Sequence, residues 1–231
     1  MSADDAKPTR RRFIANVAGS TAALAAAGLG ATELLAQGTT APPPQGGWDM
    51  SWVDRVQRAK HRQVFDAPGI AEGTALNNAM VWLNGYSEVY KTTDADMAAV
   101  LVFRHHGLPV VLNHDMWARL KLGDEDKLKD PTTGEPTRRN PFVNLKAGDK
   151  NLMTFPEGGL DALIARGAIV LCCNLALMRQ AGQLAKAEAI PREKAQQAMI
   201  DAVLPGVIRM PSGVFATSRA EEAGCYFLRA T

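Results

Sequence analysis

The sequence AIVLCCN, at residues 168–174, is the clearest indication of the fold class. It is a continuous apolar run of strand length that ends in two cysteines and an asparagine, and such runs are typical of strands buried on both faces of a parallel sheet. A second apolar stretch, 207–210, ends in a turn that contains Ser212 and Gly213. A helical pattern follows each run, so both are strand-to-helix turns of the kind at which open α/β sheets place their sites.

Strand and helix patterns alternate on both sides of these turns. The strands are predicted at 61–66, 98–103, 168–173, 207–210 and 225–228. The helices are predicted at 74–91, from Pro109 through 122, and at 159–166, 175–189, 191–204 and 214–223. This alternation implies right-handed βαβ crossovers. The predicted fold is a three-layer α/β/α sandwich with a mainly parallel five-stranded sheet, flavodoxin-like in class.

One long segment interrupts the alternation. Between 123 and 150 the pattern gives way to charges, prolines and glycines. Structureless segments of this length are commonly lids, oligomer contacts or flexible insertions, and a run of charges is more often a solvated face than an anion site. The segment is predicted to be an insertion in the domain.

The amino-terminal residues carry an export pattern. TRRRFI at 9–14 is typical of a twin-arginine signal, and the stretch 14–35 behind it is rich in Ala and Gly and only mildly hydrophobic. We predict a signal peptide at 1–36, export to the periplasm by the twin-arginine machinery, and a membrane-tethered protein if the leader is not cleaved. Three consecutive prolines make 37–50 a stiff tether, which leaves 51–231 as the folded domain.

Charge and cysteine content exclude several classes of protein. The formal net charge is +2, and it is +1 without residues 1–36, so nothing favours nucleic acid as a partner. Three cysteines are too few for a disulfide scaffold, and no C-x-x-C motif points to a thioredoxin-like site or to haem attachment. No cofactor is predicted.

The carboxyl ends of parallel strands share one edge of the sheet, so three turns should meet there. Cys173 is the residue at a helix amino terminus, where free amides and the helix dipole favour the reactive thiolate. Because side chains alternate along a strand, Cys172 is expected to face the other layer. The alternative for Cys173 is a small buried hydrophobic residue.

The other turns supply candidate binding residues. Ser212 is equally well explained as the cap of the helix that follows it. Gly213 either permits close approach of the backbone or simply allows the chain to turn. His105 and His106 end a strand, and one of them is expected to face inward. A histidine and a cysteine in one crevice leave a metal site as an alternative, although the spacing matches no metal signature.

The motifs from residue 160 to the end resemble the DsrE/DsrF-like family. The resemblance is carried by AIVLCCNLA at 168–176, LPGV at 204–207, MPSGV at 210–214 and RAEEAGCY at 219–226. It implies a parallel five-stranded α/β/α domain that forms homo-oligomers. In the sulfur-transfer members a cysteine at the position of Cys173 carries a persulfide, and Ala176 and Arg179 fit the accompanying Cys-x-x-Ala-x-x-Arg spacing.

The resemblance implies an exported protein that binds or transfers sulfane sulfur, a sulfurtransferase-like carrier with a donor or acceptor protein as its partner. In this hypothesis Cys173 carries the sulfur. Asn174 and the backbone near Ser212 and Gly213 hold the developing anion, and His105 or His106 moves a proton. The alternative is a non-catalytic homo-oligomer of the same fold that binds a small ligand or a partner protein.

Overall fold

The computed structural model describes residues 47–125, 127–145 and 156–231. The predicted signal peptide at 1–36 and most of the tether at 37–50 lie outside the described residues. Within the described ranges, no helix has both the length and the apolar character needed to cross a membrane.

Strands and helices alternate through the described ranges as the sequence predicts. The strands are β1 (His61–Ala67), β2 (Met97–Phe103), β3 (Ile169–Cys173), β4 (Val207–Met210) and β5 (Tyr226–Arg229). The α-helices are α1 (Ser51–Arg58), α2 (Thr74–Tyr90), α3 (His114–Arg119), α4 (Leu122–Glu125), α5 (Leu160–Ala165), α6 (Asn174–Glu188), α7 (Arg192–Asp201) and α8 (Gly213–Glu222). Short 3-10 helices lie at Ala71–Gly73, Asp94–Asp96, His105–Val111 and Pro156–Gly158.

The five strands form one parallel sheet in the order β4-β3-β2-β1-β5. The predicted three-layer fold with a five-stranded parallel sheet is therefore confirmed. The order differs from the 2-1-3-4-5 order of flavodoxin, whose chain reverses between β1 and β3. Here the chain moves steadily from β1 to β4 and then returns to the far side of β1. The reversal therefore follows β4.

Two apolar cores lie on the two faces of the sheet, and β2 shows how the sequence fills both. Ala99, Leu101 and Phe103 face the core formed with α2, α6 and α7, and the alternate residues Val100 and Val102 face the core formed with α1 and α8. Every residue of β2 is buried. A buried Val, Leu or Phe side chain contributes about 1.5–3 kcal/mol of transfer free energy. β2 is the middle strand of the sheet and is buried along its whole length, so it lies at the centre of the fold.

The long segment after α3 packs against the first of these cores. Phe142 is fully buried, and its ring centroid lies 6.3 Å from that of Trp117. The Asn140 side chain donates to the carbonyl oxygens of Val110 (2.8 Å) and Leu112 (2.7 Å). The described part of the predicted insertion has little regular structure, as expected, but buried side chains anchor it to the domain.

His114 ties the same segment to α3. Its Nδ1 accepts a hydrogen bond from the Asn140 backbone N–H at 3.0 Å. An imidazole nitrogen accepts only when it carries no proton, so this contact requires the neutral ring. Burial, and to a lesser degree the charge of Arg139, lowers the pKa of His114 from its ordinary value.

Candidate functional site

The crevice expected at the carboxyl edge of the sheet lies where β3 and β4 end. The helix after β3, α6, covers one face of the sheet, whereas the helix after β4, α8, covers the other. Adjacent strands whose following helices diverge in this way open a crevice between their turns, which is the usual ligand position in open α/β sheets.

A cavity of about 280 Å³ occupies this crevice. It is lined by Arg104, His105, Cys173, Leu175, Ala176, Arg179, Ser212, Gly213 and Val214. Four of the six predicted site residues, from three different turns, are therefore brought together. The other two, His106 and Asn174, do not line the cavity.

Cys173 lies at the base of α6 with 6% of its surface exposed. It is the amino-terminal cap of this helix, and its Sγ accepts a hydrogen bond from the Ala176 backbone N–H at 3.4 Å. Sulfur thus replaces the oxygen that usually fills this position. An amide that donates to sulfur stabilises a negative charge there, and Cys173 lines the cavity.

Cys172 has a different environment, although the two cysteines are adjacent. It is fully buried and does not line the cavity. The expectation that the two residues face different layers is wrong, because both belong to the core under α6. Strand alternation stops at Cys173, where the chain turns into the helix on that face.

Burial raises the pKa of Cys172 to about 12, and it raises the pKa of Cys225 to the same value. Cys225 belongs to the core on the opposite face of the sheet. Neither thiol ionises appreciably at neutral pH. The three cysteines are free thiols, and of the three Cys173 is the one that lines the crevice cavity.

Arg104 also lines the cavity, although the sequence patterns did not single it out. It follows β2 directly, and its guanidinium forms two parallel hydrogen bonds with the buried Asp66, Nε to Oδ1 at 2.6 Å and Nη2 to Oδ2 at 2.7 Å. The hydrogen bonds to Asp66 hold the pKa of Arg104 above its ordinary value. Its place immediately before His105 at the strand end was the available signal.

Gly213 is required by the position of Arg104. A Cβ atom on Gly213 would lie 2.5 Å from Cβ and 2.7 Å from Cδ of Arg104, closer than carbon atoms pack. The predicted role of Gly213 in close approach is therefore observed, and the neighbour is a side chain of the site itself.

The remaining predicted residues have structural partners. Ser212 caps α8, and its Oγ accepts from the Phe215 backbone N–H at 3.1 Å. Asn174 Oδ1 accepts from Nη1 of Arg209 at 3.3 Å. Both side chains therefore have hydrogen bonds that need no ligand.

The two histidines both lie at the surface. His105 and His106 are exposed because the chain leaves the strand at Arg104 and enters the 3-10 helix His105–Val111. The expectation that one of them faces inward is wrong. His105 adopts a positive φ of 48° and still lines the cavity, whereas His106 does not. Within the described ranges, no three His, Cys, Asp or Glu side chains come together as a metal-binding group.

The mouth of the cavity combines apolar and cationic groups. Leu175 is 65% exposed and Val214 is 68% exposed, one on each side of the opening. Arg179, which the family resemblance suggests, is exposed one helical turn beyond Leu175 and lines the same cavity. An anionic reactant would meet this guanidinium as it enters.

Comparison of the chain with protein-family models, with curated proteins and with solved structures found no match. What the site can do therefore rests on its own geometry.

Proposed function

We propose that this protein is an exported, DsrE/DsrF-like sulfur carrier in which Cys173 holds sulfane sulfur as a persulfide. The observation that supports the proposal is the placement of one sulfur atom. Cys173 accepts an amide hydrogen bond through Sγ at the start of α6 and lines the crevice cavity, whereas the other two cysteines do not line it.

The proposed reaction is an exchange between sulfur atoms. The Cys173 thiolate attacks the outer sulfur of a donor such as thiosulfate, a new S–S bond forms, and the donor's S–S bond breaks with its electron pair leaving on sulfite. The products are a cysteine persulfide and sulfite, so no external oxidant or reductant is needed. An acceptor thiolate then attacks the outer sulfur of the persulfide and restores the Cys173 thiolate.

The walls of the cavity suit a negatively charged donor. Arg179 is an exposed arginine that lines the cavity, and the Ala176 N–H is directed at the sulfur that carries the charge. The charge of Arg104, which also lines the cavity, is offset by its pair with Asp66. Charge-assisted hydrogen bonds of this kind are about twice as strong as neutral ones. In this proposal Arg179 takes the anion-holding role that the sequence suggested for Asn174, and His105 is the histidine able to move a proton.

A second function has its own supporting observation. Cys173 is only 6% exposed, and the cavity mouth carries the exposed apolar side chains of Leu175 and Val214. A binding protein with inert cysteines would use this mouth to hold an apolar ligand or a partner. The two functions differ in the reactivity of one thiol.

Intact-mass spectrometry of the chain before and after incubation with thiosulfate tests the proposal. We expect a gain of one sulfur atom that reductant reverses and that peptide mapping places on Cys173. Cys173→Ser should abolish the gain. Cys225→Ser, the matched control, replaces a buried cysteine on the other face of the sheet and should retain it.

Two results would reject the assignment. Full loading of the Cys173→Ser variant would remove Cys173 from the mechanism. No loading of the wild type, together with resistance of all three native thiols to alkylation, would favour the binding protein. At pH 8 a thiol whose pKa is about 12 is ionised in roughly one molecule in ten thousand, so Cys172 and Cys225 should label slowly under either function.

Export is proposed from the TRRRFI motif alone. Replacing Arg10 and Arg11 by lysine should keep the protein in the cytoplasm, because the twin-arginine machinery reads the arginine pair. Fractionation of cells that express the wild type and the variant measures this. Equal amounts of both proteins in the periplasm would refute this route of export.

A further inference from the structure

A second cavity, of about 370 Å³, lies at the opposite end of the sheet from Cys173. It is bordered by α1, by the 3-10 helix Asp94–Asp96, and by the turn between α5 and β3. Ile169, the first residue of β3, lines this cavity, whereas Cys173, the last, lines the crevice. The two cavities are therefore separate sites on one strand.

Three arginines line this second cavity, and the guanidinium of one of them is fixed in place. Arg166 donates from Nε and Nη2 to the two carboxylate oxygens of Asp94, at 3.0 and 2.9 Å, and from Nη1 to Asn84 Oδ1 at 2.9 Å. This bidentate pair offsets the charge of Arg166 and holds one wall of the cavity rigid.

The other two guanidinium groups, those of Arg55 and Arg58, have no such compensation. Arg55 Nη2 donates to the Gly167 carbonyl oxygen at 2.7 Å, a contact that orients the group but carries no negative charge. Within the described ranges, no carboxylate lies within 4.0 Å of the guanidinium of Arg55 or Arg58. Asp54, on the same helix, forms no salt bridge with either.

The cavity wall therefore has three positive side chains and one negative one. Arginine stays charged in proteins, so the surplus of two positive charges persists at any physiological pH. Two like charges that share a concave space repel each other, and an anion placed between them removes the repulsion. Arg55 and Arg58 lie on the same helix, α1, and both line the same cavity.

We propose that this cavity binds a small tetrahedral oxyanion, as inorganic phosphate or as the phosphoryl group of a small metabolite. The planar fork of a guanidinium matches the paired oxygens of a phosphate, and two such forks balance its two negative charges. A volume of about 370 Å³ falls within the range of small-molecule sites and leaves room for an organic part beside the phosphate.

Isothermal titration calorimetry of the full chain with inorganic phosphate tests the site, with sodium chloride at equal ionic strength as the blank. We expect binding by the wild type and binding weakened about tenfold or more in Arg58→Gln and in Arg55→Gln, since each removes a hydrogen bond to a charged group. Arg192→Gln is the matched control. Arg192 is an exposed arginine on α7 and does not line the cavity, so its loss should leave the affinity unchanged.

A parallel titration with glycerol phosphate separates the two sources of the oxyanion. Tighter binding of the ester identifies a phosphorylated metabolite, and equal affinity identifies the free ion. Backbone amide shifts in the NMR spectrum should concentrate at Asp94–Asp96 and around Gly167. The proposal is overturned if phosphate produces no heat beyond the chloride blank, or if Arg58→Gln and Arg55→Gln bind phosphate as the wild type does.

Discussion

Replacing Gly213 by alanine should destabilise the domain because of one close contact. The new methyl carbon would lie 2.5 Å from Cβ and 2.7 Å from Cδ of Arg104. Arg104 cannot move aside freely. Its guanidinium is held by two hydrogen bonds to Asp66, and its backbone N–H donates to the Ala67 carbonyl at 3.1 Å.

The magnitude follows from the cost of overpacking. Forcing an extra methyl group into a filled space costs about 1–3 kcal/mol. Alanine recovers up to about 1 kcal/mol of helix propensity over glycine, but only in part at the first position of a helix. For a domain of this size each kcal/mol lowers the melting temperature by about 2–4 °C, so Gly213→Ala should melt several degrees below the wild type.

Gly182→Ala is the matched control for this measurement. Gly182 lies inside α6, and a Cβ atom there meets nothing within 4 Å. The same substitution should therefore stabilise the protein, by about 0.5–1 kcal/mol. Thermal unfolding followed by circular dichroism compares the two variants. If Gly213→Ala melts at or above the wild-type temperature, as the control should, the close contact with Arg104 does not constrain the site.

Three further predictions concern charge, pH and assembly. Asp66→Asn should lower the free energy of unfolding by about 3 kcal/mol in urea titrations, because it leaves the Arg104 charge without its buried partner. The free energy of unfolding should decline as the pH falls below about 6.5, the ordinary pKa of histidine, and level off only below the lowered pKa of His114 in the folded protein. The reason is that protonation of the ring breaks its hydrogen bond to the Asn140 backbone. His114→Asn should flatten that part of the pH profile. Light scattering of the full chain tests the predicted homo-oligomer, and Phe227→Lys, at a residue 47% exposed on the edge strand β5, should reduce a sheet-extended oligomer to monomers.

The fold could be predicted from the sequence because each strand and helix has a characteristic spacing of the apolar residues that it buries. The buried run 98–103 and the cysteine-ended run 168–173 were predicted within one residue of β2 and β3. Glycines mark helix ends correctly where the backbone requires a positive φ, as at Gly167, with φ of 91°, and Gly224, with φ of 100°.

The region after β2 was harder to predict because short-range and tertiary effects compete there. The sequence predicts one helix from Pro109 through residue 122, whereas the structure has a 3-10 helix up to Val111 and a separate α3 that begins at His114. Asn113 caps α3 by accepting from the Met116 backbone N–H at 2.9 Å, and this cap sets its start. Local periodicity does not reveal such a break, since both pieces have an apolar side that packs on the same core.

The site itself depends on strand order, which the sequence patterns did not supply. The turns after β2, β3 and β4 meet because these three strands are consecutive neighbours in the sheet. In the flavodoxin order, 2-1-3-4-5, the chain reverses between β1 and β3 instead. Here the reversal after β4 sends α8 to the face opposite α6, so Gly213 can approach Arg104 while Cys173 stays under α6. Cys173 lines the crevice and Cys172, one residue earlier, does not, because the chain leaves the strand at Cys173 and turns into α6.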